Sequence, residues 1–182
     1  MTRFLLDTML GKLATYLRMC GHDAAYALDR GVEDDALVRD LALAEDRTLL
    51  TRDEQLAART DGALLLTARE IDDQLAELHA AGVRLTLPRR PRRCGTCNAE
   101  LEAVGRDEPT PDYAPDPGET DVWRCPDCGQ HFWKGSHWDD VRARLERVAT
   151  DAKGSDAKGS DAKGSDTKST DAKNNGTKSN DE

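Results

Sequence analysis

Four of the five cysteines occur as two Cys-x-x-Cys pairs, Cys94 with Cys97 and Cys125 with Cys128. Each pair closes a tight turn that brings two sulfur atoms onto one ion, and four thiolates form the ligand set of a structural zinc site. Two disulfides are the alternative, but the sequence shows no secretory segment that would indicate an oxidising compartment. The chain therefore predicts a zinc ribbon, whose Zn²⁺ is structural and leaves no open position for catalysis.

A long, proline-rich segment separates the two cysteine pairs. It spans 27 residues and is interrupted by four prolines, Pro109, Pro111, Pro115 and Pro117. Proline at this density is typical of turns and loops. We expect an irregular loop between the hairpins of the ribbon, and we place the ribbon and a following helix in residues 89–150.

The chain changes character at Asp151, where the sequence DAKGS begins and is repeated three times in succession before it decays. This segment has no aromatic or large aliphatic residue, so it cannot bury enough apolar surface to offset the entropy of ordering. We expect a disordered low-complexity tail over residues 151–182.

The first 88 residues alternate short apolar runs with segments of helical periodicity. Apolar runs at residues 3–6, 23–27, 48–51 and 63–66 predict strands. Helices are predicted to begin near Leu10, at Asp34 or Asp35, and at Glu70. Strands separated by helices form parallel sheets with right-handed crossovers. Residues 1–88 therefore predict an α/β domain, in which ligands bind beyond the carboxyl ends of the strands.

Acidic residues mark that edge of the predicted sheet. Asp7 and Asp53 each follow a strand, and Asp34 or Asp35 can join them from the start of the intervening helix. Clustered carboxylates repel one another unless a cation neutralises them, and their hard oxygens select Mg²⁺ or Mn²⁺. Such a site can hydrolyse phosphodiester bonds. A structural origin is the alternative, because Asp is common at helix N-caps.

Several strings in order along the chain resemble one known family. They are FLLDTMLGKLATYLRMCGHD, DDALVRDLALAEDRTLLTRDEQLA, CGTC and CPDCGQHFWKGSHW, of which LLTRD and WKGSHW are the most specific. Over residues 2 to 148 the chain resembles the Mut-seven C-terminal RNase domain family. The resemblance implies a PIN-like nuclease domain with a zinc ribbon, and a metal-binding acidic set of Asp7, Asp35 or its neighbour Asp34, and Asp53. Glu54 is the nearest candidate for a fourth acidic ligand.

Basic residues are candidates for contact with RNA phosphates. Lys12, Arg18 and Arg52 lie close in sequence to the acidic set, and ion pairing with those carboxylates is the alternative. The run at residues 89–93 is either a solvated linker or a collar that delivers RNA to the acidic edge, and we favour the collar. Its candidates are Arg89, Arg90, Arg92 and Arg93. The ribbon tryptophans Trp123, Trp133 and Trp138 either pack against the first domain or stack on bases.

The net charge of −9 and the preference for Arg over Lys resemble adaptation to a high-salt cytoplasm. At high salt the release of counterions contributes little to nucleic-acid binding, so an acidic total does not exclude an RNA substrate. No apolar run approaches the length of a membrane helix. We expect a cytoplasmic protein with no membrane partner.

These observations predict a metal-dependent ribonuclease with structural zinc, catalytic Mg²⁺ or Mn²⁺, and RNA as its partner. The alternative is an inactive adaptor that binds RNA or the ribosome through the ribbon and the arginine run. A phosphatase with an aspartyl nucleophile is a weaker third hypothesis, because Met9 occupies the position of the second acid that such enzymes need.

Overall fold

A four-stranded parallel sheet forms the centre of the fold in the computed structural model, which describes residues 3–156, with side chains as far as Asp151. Its strands are β1 Arg3–Leu6, β2 Asp23–Tyr26, β3 Thr48–Thr51 and β4 Leu64–Leu65. They lie in the order β2-β1-β3-β4. Leu5 pairs with Ala25 on one side and with Leu49 on the other, so β1 is a central strand. The predicted parallel sheet is confirmed.

Within residues 3–156, five α-helices connect or follow the strands: α1 Gly11–Met19, α2 Asp35–Ala44, α3 Glu54–Ala58, α4 Ile71–Ala80 and α5 Ser136–Asp156. Asp34 and Asp53 are the N-caps of α2 and α3, and their carboxylates accept hydrogen bonds from backbone N–H groups of the first turn. The sequence did not predict α3, because five residues carry too little periodicity to be recognised.

The helices cover both faces of the sheet. Alternate residues of the strands point to opposite sides, so Phe4, Leu6 and Leu50 pack in one apolar cluster while Leu5 and Leu49 pack in the other. The first cluster also includes residues of α1, α4 and α5, and the second includes residues of α2 and α3. This three-layer arrangement confirms the predicted α/β class with flanking helices.

The last helix returns to the first domain. Val141, Leu145 and Val148 of α5 are buried in the cluster that contains α1 and α4, and Arg144 forms an ion pair of 3.2 Å with Asp72 of α4. Helix α5 therefore completes the core of the α/β domain, although we had placed it with the ribbon in residues 89–150.

Helix α5 also continues to Asp156, so the first copy of the repeat is helical as far as the structure describes it. The helix therefore overlaps the first residues of the predicted tail, whose start at residue 151 stays a prediction. The rest of that prediction, residues 157–182, lies outside the described residues.

The ribbon contains a three-stranded antiparallel sheet of β5 Glu102–Ala103, β6 Val122–Arg124 and β7 His131–Trp133. Residues 104–121 between β5 and β6 contain turns but no helix or strand, as the prolines predict. Within residues 3–156, no helix is long and apolar enough to cross a membrane.

Candidate functional site

The four paired cysteines converge on one point. Their sulfur atoms all lie within 4.8 Å of one another, with Cys94 Sγ 3.6 Å from Cys128 Sγ and Cys97 Sγ 3.4 Å from Cys125 Sγ. Zinc–sulfur bonds of about 2.3 Å in a tetrahedron place the sulfur atoms about 3.8 Å apart. The four thiols therefore fit a tetrahedral zinc ion, as the spacing of the pairs predicts.

The two Cys-x-x-Cys turns have the same backbone geometry. In each, the N–H of the second cysteine points at the sulfur of the first, at 3.5 Å. The residue after each pair, Asn98 or Gly129, has a left-handed backbone with φ of 71° or 74°. Its N–H donates to the carbonyl of the first cysteine at 3.0 Å in both turns. Asn98 and Gly129 therefore occupy equivalent positions in the two turns.

Asn98 joins the ribbon to the α/β domain. Its side-chain oxygen accepts from the Ala24 N–H at 3.0 Å, and its amide nitrogen donates to Asp23 Oδ1 at 2.7 Å. The side chain therefore hydrogen-bonds to the exposed edge of β2. Asparagine tolerates the left-handed backbone that the turn requires, and unlike glycine it also supplies these two bonds.

Arg18 makes a second connection between the two parts. Only 3% of the residue is exposed, and its guanidinium donates to three carbonyls, those of Ala24, Gly95 and Thr96. It also forms an ion pair of 3.0 Å with Asp29. These contacts use four of the five N–H groups of Arg18 to hold the ribbon and the α/β domain together, and its predicted contact with RNA phosphates stays a prediction.

At the carboxyl edge of the sheet, Asp7 is buried with 4% of its surface exposed. Its Oδ2 accepts from the Thr51 hydroxyl at 2.8 Å, and its Oδ1 accepts from the N–H of Thr8. The Thr51 hydroxyl oxygen in turn accepts from the Asp53 N–H at 3.0 Å. This chain of bonds fixes the Asp7 carboxylate relative to the backbone of Asp53.

The other predicted acidic residues lie at the same edge of the sheet, but their side chains have different partners. One oxygen of Asp53 accepts from the Leu56 N–H at 2.7 Å, and one oxygen of Asp34 accepts from two N–H groups of α2. Asp35 is exposed and lies 3.9 Å from Arg59. Glu54 is exposed in the first turn of α3. Helix capping accounts for Asp34 fully, so Asp35 is the freer carboxylate of the two.

The acidic side chains do not form one compact ligand shell. Among the described residues, the four cysteines are the only group of three or more potential ligands with their atoms within 4.8 Å of one another. Mg²⁺ retains several waters and is often held by one or two carboxylates. The edge therefore fits a partly hydrated ion better than a closed cage of carboxylates.

Two predicted basic residues near this edge differ from Arg18. Lys12 is exposed, and it has no hydrogen bond or ion pair within the part of the chain that the structure describes, so the predicted alternative of pairing with the acidic set is not seen. Arg52 lies between Thr51 and Asp53, and its Nε is buried without a hydrogen-bond partner. An unpaired buried donor at this position favours an anionic ligand.

The arginine run lies at the other edge of the sheet. Helix α1 starts after the carboxyl end of β1 and ends at the amino end of β2. Cys20 follows the last residue of α1, and it lines a cavity together with Arg89, Arg90 and Arg92. Arg93 instead donates to the Asn98 carbonyl and to Glu100. The run therefore does not adjoin Asp7 and Asp53, contrary to the simple collar that the sequence predicts.

The ribbon tryptophans separate into two groups. Trp123 and Trp138 are buried, whereas Trp133 is half-buried beside a groove. Packing, rather than stacking on bases, accounts for the first two. Cys20, at the end of α1, is also buried, and burial raises the pKa of its thiol to about 12.

A profile of the Mut7-C RNAse domain matches residues 2–145, which include both the α/β domain and the ribbon. The chain belongs to this family. No curated protein and no solved structure matches the chain. The Mut7-C match confirms the family inferred from the sequence, and with the four converging cysteines it supports a nuclease-like, zinc-binding role.

Proposed function

We propose that this Mut7-C protein is a metal-dependent ribonuclease that hydrolyses RNA phosphodiester bonds at the carboxyl edge of its parallel sheet. The observation that carries the proposal is the buried carboxylate of Asp7, which Thr51 holds in a fixed relation to Asp53. A buried, oriented carboxylate beside a second one is the arrangement that a divalent cation requires for phosphoryl chemistry.

The donor set at this edge fits Mg²⁺ or Mn²⁺. Each oxygen of Asp7 accepts one hydrogen bond and keeps a further lone pair. Asp53 has one oxygen outside its helix-capping bond, and Asp35 contributes an exposed carboxylate from the first turn of α2. Asp34 is the alternative to Asp35 as a ligand of the cation. A bound cation would supply a deprotonated water and stabilise the charge that develops on the leaving oxygen.

The protein's own residues orient the substrate. Arg52, the residue before Asp53, and Lys12, which has no ion pair among the described residues, hold the non-bridging oxygens of the scissile phosphate. Their positive charge offsets the repulsion between the phosphate and the carboxylates. Asp53 and Asp35 accept hydrogen bonds from the attacking water and so orient it toward phosphorus.

The ribbon and the arginine run supply affinity for RNA. The zinc ion is structural, because four thiolates close its coordination sphere. Arg89, Arg90 and Arg92 lie where the chain passes from the α/β domain into the ribbon, and a polyanion is the ligand that they suit. In this proposal the protein acts on RNA in the cytoplasm, and ribosomal RNA is one of the RNAs to be tried.

The test uses the zinc-loaded full chain with mixed single-stranded and structured RNAs, Mn²⁺ and molar KCl. Asp7→Asn and Asp53→Asn should each abolish cleavage while RNA binding survives, because Asn is nearly isosteric but is a poor ligand for the cation. Asp140→Asn is the matched control, since Asp140 is an exposed residue of α5 outside the predicted acidic set.

The adaptor hypothesis predicts a different result. If the wild type cleaves no RNA with Mg²⁺ or Mn²⁺, or if both Asn variants cleave as the wild type does, the nuclease proposal fails. Retained RNA or ribosome binding in that case would support the adaptor, which uses the ribbon and the arginine run without chemistry at Asp7.

A further inference from the structure

A strongly basic cavity of about 860 Å³ opens at the amino edge of the sheet, between the ribbon and the segment that enters it. Six cationic residues line it and one acidic residue, Asp121, opposes them. The six are Arg84, Arg89, Arg90, Arg92, Arg106 and Lys134. The chain as a whole has a net charge of −9, so six cations around one cavity are a local concentration of positive charge. Its ligand is therefore an anion.

Part of the lining of this cavity is apolar. Leu87, Val104 and Trp123 contribute to its lining together with the Cys20 thiol. Burial raises the pKa of that thiol to about 12, so it adds no negative charge at neutral pH. Lys134 donates to the Arg89 carbonyl at 3.2 Å, which holds the two sides of the cavity together. Cations on an apolar wall suit a phosphate joined to a sugar and a base.

The cavity is too far from Asp7 to hold the scissile phosphate. It lies at the carboxy-terminal end of α1, whereas Asp7 lies just before the start of α1. The nine residues of α1 span about 14 Å. A strand of RNA that contacts both places must therefore continue along α1 for several nucleotides.

A second groove, of about 750 Å³, follows this same path. Gly11, Thr15 and Met19 line it along α1, and Phe132 and Trp133 face them from the ribbon. At its far end the groove includes Tyr26, whose hydroxyl donates to the carbonyl of Thr8, the residue that follows Asp7. The groove therefore reaches the edge of the sheet at which Asp7 lies.

The groove and the cavity adjoin at two points. Pro91 lines the groove while its neighbours Arg90 and Arg92 line the cavity. Likewise Trp133 lines the groove, and the next residue, Lys134, lines the cavity. The surface therefore changes from carboxylates at Asp7, to aromatic rings along α1, to arginines at the amino edge. Aromatic rings beside a cationic channel are typical of sites for single-stranded nucleic acid.

We propose that single-stranded RNA lies along α1, with its bases against Trp133 and Phe132 and a distal phosphate in the cavity of Arg89 and Arg90. This path makes binding depend on length, because only an RNA long enough to span α1 contacts both ends. The position of the scissile phosphate at Asp7 rests on the proposed nuclease function. The binding of RNA in the groove and the cavity does not depend on that function.

The binding test uses the zinc-loaded full chain without added divalent cation and fluorescein-labelled oligouridylates of increasing length. The wild type should bind longer RNAs at least about tenfold more tightly than trinucleotides once the RNA reaches the cavity. Arg89→Ser with Arg90→Ser should remove this increase and lower the salt slope by up to about 1.4, which is 0.7 for each lost contact. Trp133→Leu should weaken binding of longer RNAs with an unchanged salt slope.

The matched control is Arg142→Ser with Arg147→Ser, which removes two exposed arginines of α5 outside both surfaces. This control should change affinity less than twofold. Equal effects of the two double variants, an equal loss at every RNA length, or equally tight binding of duplex RNA would overturn the proposal.

Cleavage with Mn²⁺ separates this inference from the proposed function. Arg89→Ser with Arg90→Ser should raise KM for long RNAs, with unchanged kcat and unchanged cleavage of short ones. If no RNA is cleaved but binding depends on length and on Arg89, the nuclease proposal fails and the RNA path stands. If cleavage requires Asp7 but the arginine variant is normal at every length, the path fails and the nuclease proposal stands.

Discussion

The Thr51 hydroxyl donates a hydrogen bond of 2.8 Å to Asp7 Oδ2 and accepts one of 3.0 Å from the Asp53 N–H. One buried hydroxyl therefore joins two neighbouring strand ends, β1 and β3, at the residues that the sequence singles out for catalysis. The bridge fixes the Asp7 carboxylate relative to the backbone of Asp53.

The first prediction concerns this hydroxyl. Thr51→Val keeps the shape of the side chain but leaves Asp7 Oδ2 and the Asp53 N–H without their partner, so cleavage should fall about 10- to 100-fold. Urea unfolding should show a loss of about 1–3 kcal/mol. Thr51→Ser keeps the hydroxyl and should therefore retain most of the cleavage rate and most of the stability of the wild type. If the valine variant cleaves normally, Thr51 does not position the acidic set.

The second prediction separates Asp34 from Asp35. Asp34 caps α2, so Asp34→Ala should cost about 1 kcal/mol of stability and should change cleavage little. Asp35→Asn should leave the free energy of unfolding within about 0.5 kcal/mol of the wild type but reduce cleavage. Unfolding curves and single-turnover cleavage rates of both variants show which of the two residues is the metal ligand. The opposite pattern would assign the metal to Asp34.

The sequence predicted the parts of this molecule that local chemistry determines. Cys94, Cys97, Cys125 and Cys128 identified the metal site, because thiolate spacing is fixed by the ion rather than by the rest of the fold. Asp7 and Asp53 were placed at one edge because strands separated by helices are parallel. Family membership followed from strings such as LLTRD, which the profile match over residues 2–145 confirms.

Long-range packing explains what the sequence did not reveal. The sequence predicts that Arg18 contacts RNA phosphates, but the ribbon packs over it and its guanidinium donates to carbonyls of Gly95 and Thr96. Helix α5 follows the ribbon in sequence, yet Val141 and Leu145 belong to the core of the α/β domain. Both outcomes depend on how two distant segments dock, which no local pattern encodes.

The third prediction concerns that docking. Arg18→Met keeps the apolar stem but removes one donor from each of three carbonyls, of which Gly95 keeps the Thr15 hydroxyl at 3.5 Å. Stability should therefore fall by about 3 kcal/mol. Two of these carbonyls belong to the first Cys-x-x-Cys turn, so a chromophoric chelator should also remove zinc faster than from the wild type. Arg142→Met, on the exposed face of α5, is the control. Unchanged zinc release would mean that the ribbon holds its ion independently of Arg18.

The fourth prediction concerns the ion itself. Cys94→Ser or Cys128→Ser should lose zinc, because three thiolates cannot close the tetrahedral site and the binding free energy is folding free energy for a small ribbon. Trp123, now buried, should become solvent-exposed, and its fluorescence should shift to longer wavelength. Cys20→Ser is the control, since Cys20 is outside the cluster. One zinc per chain in both variants, with unchanged emission, would contradict the four-cysteine site.

The last prediction concerns acid stability at Asp23, which contacts the ribbon through Asn98 and the start of β3 through Arg47. Partial burial opposes ionisation of Asp23, but hydrogen bonds from Arg47 and Asn98 outweigh it and lower the pKa of the carboxyl from 3.8 to about 2. A lowered pKa stabilises the folded state above pH 4, and that stabilisation is lost as the pH falls toward 2.

Asp23→Asn should therefore cost about 2 kcal/mol at pH 7 and lose this difference from the wild type between pH 4 and pH 2. Acid also releases zinc by protonating the thiolates, but it does so in both proteins, so the difference between their urea midpoints isolates Asp23. Asp61→Asn, at an exposed turn, is the control and should track the wild type at every pH. If the Asp23 difference persists at pH 2, its charge is not what joins β2 to Arg47 and Asn98.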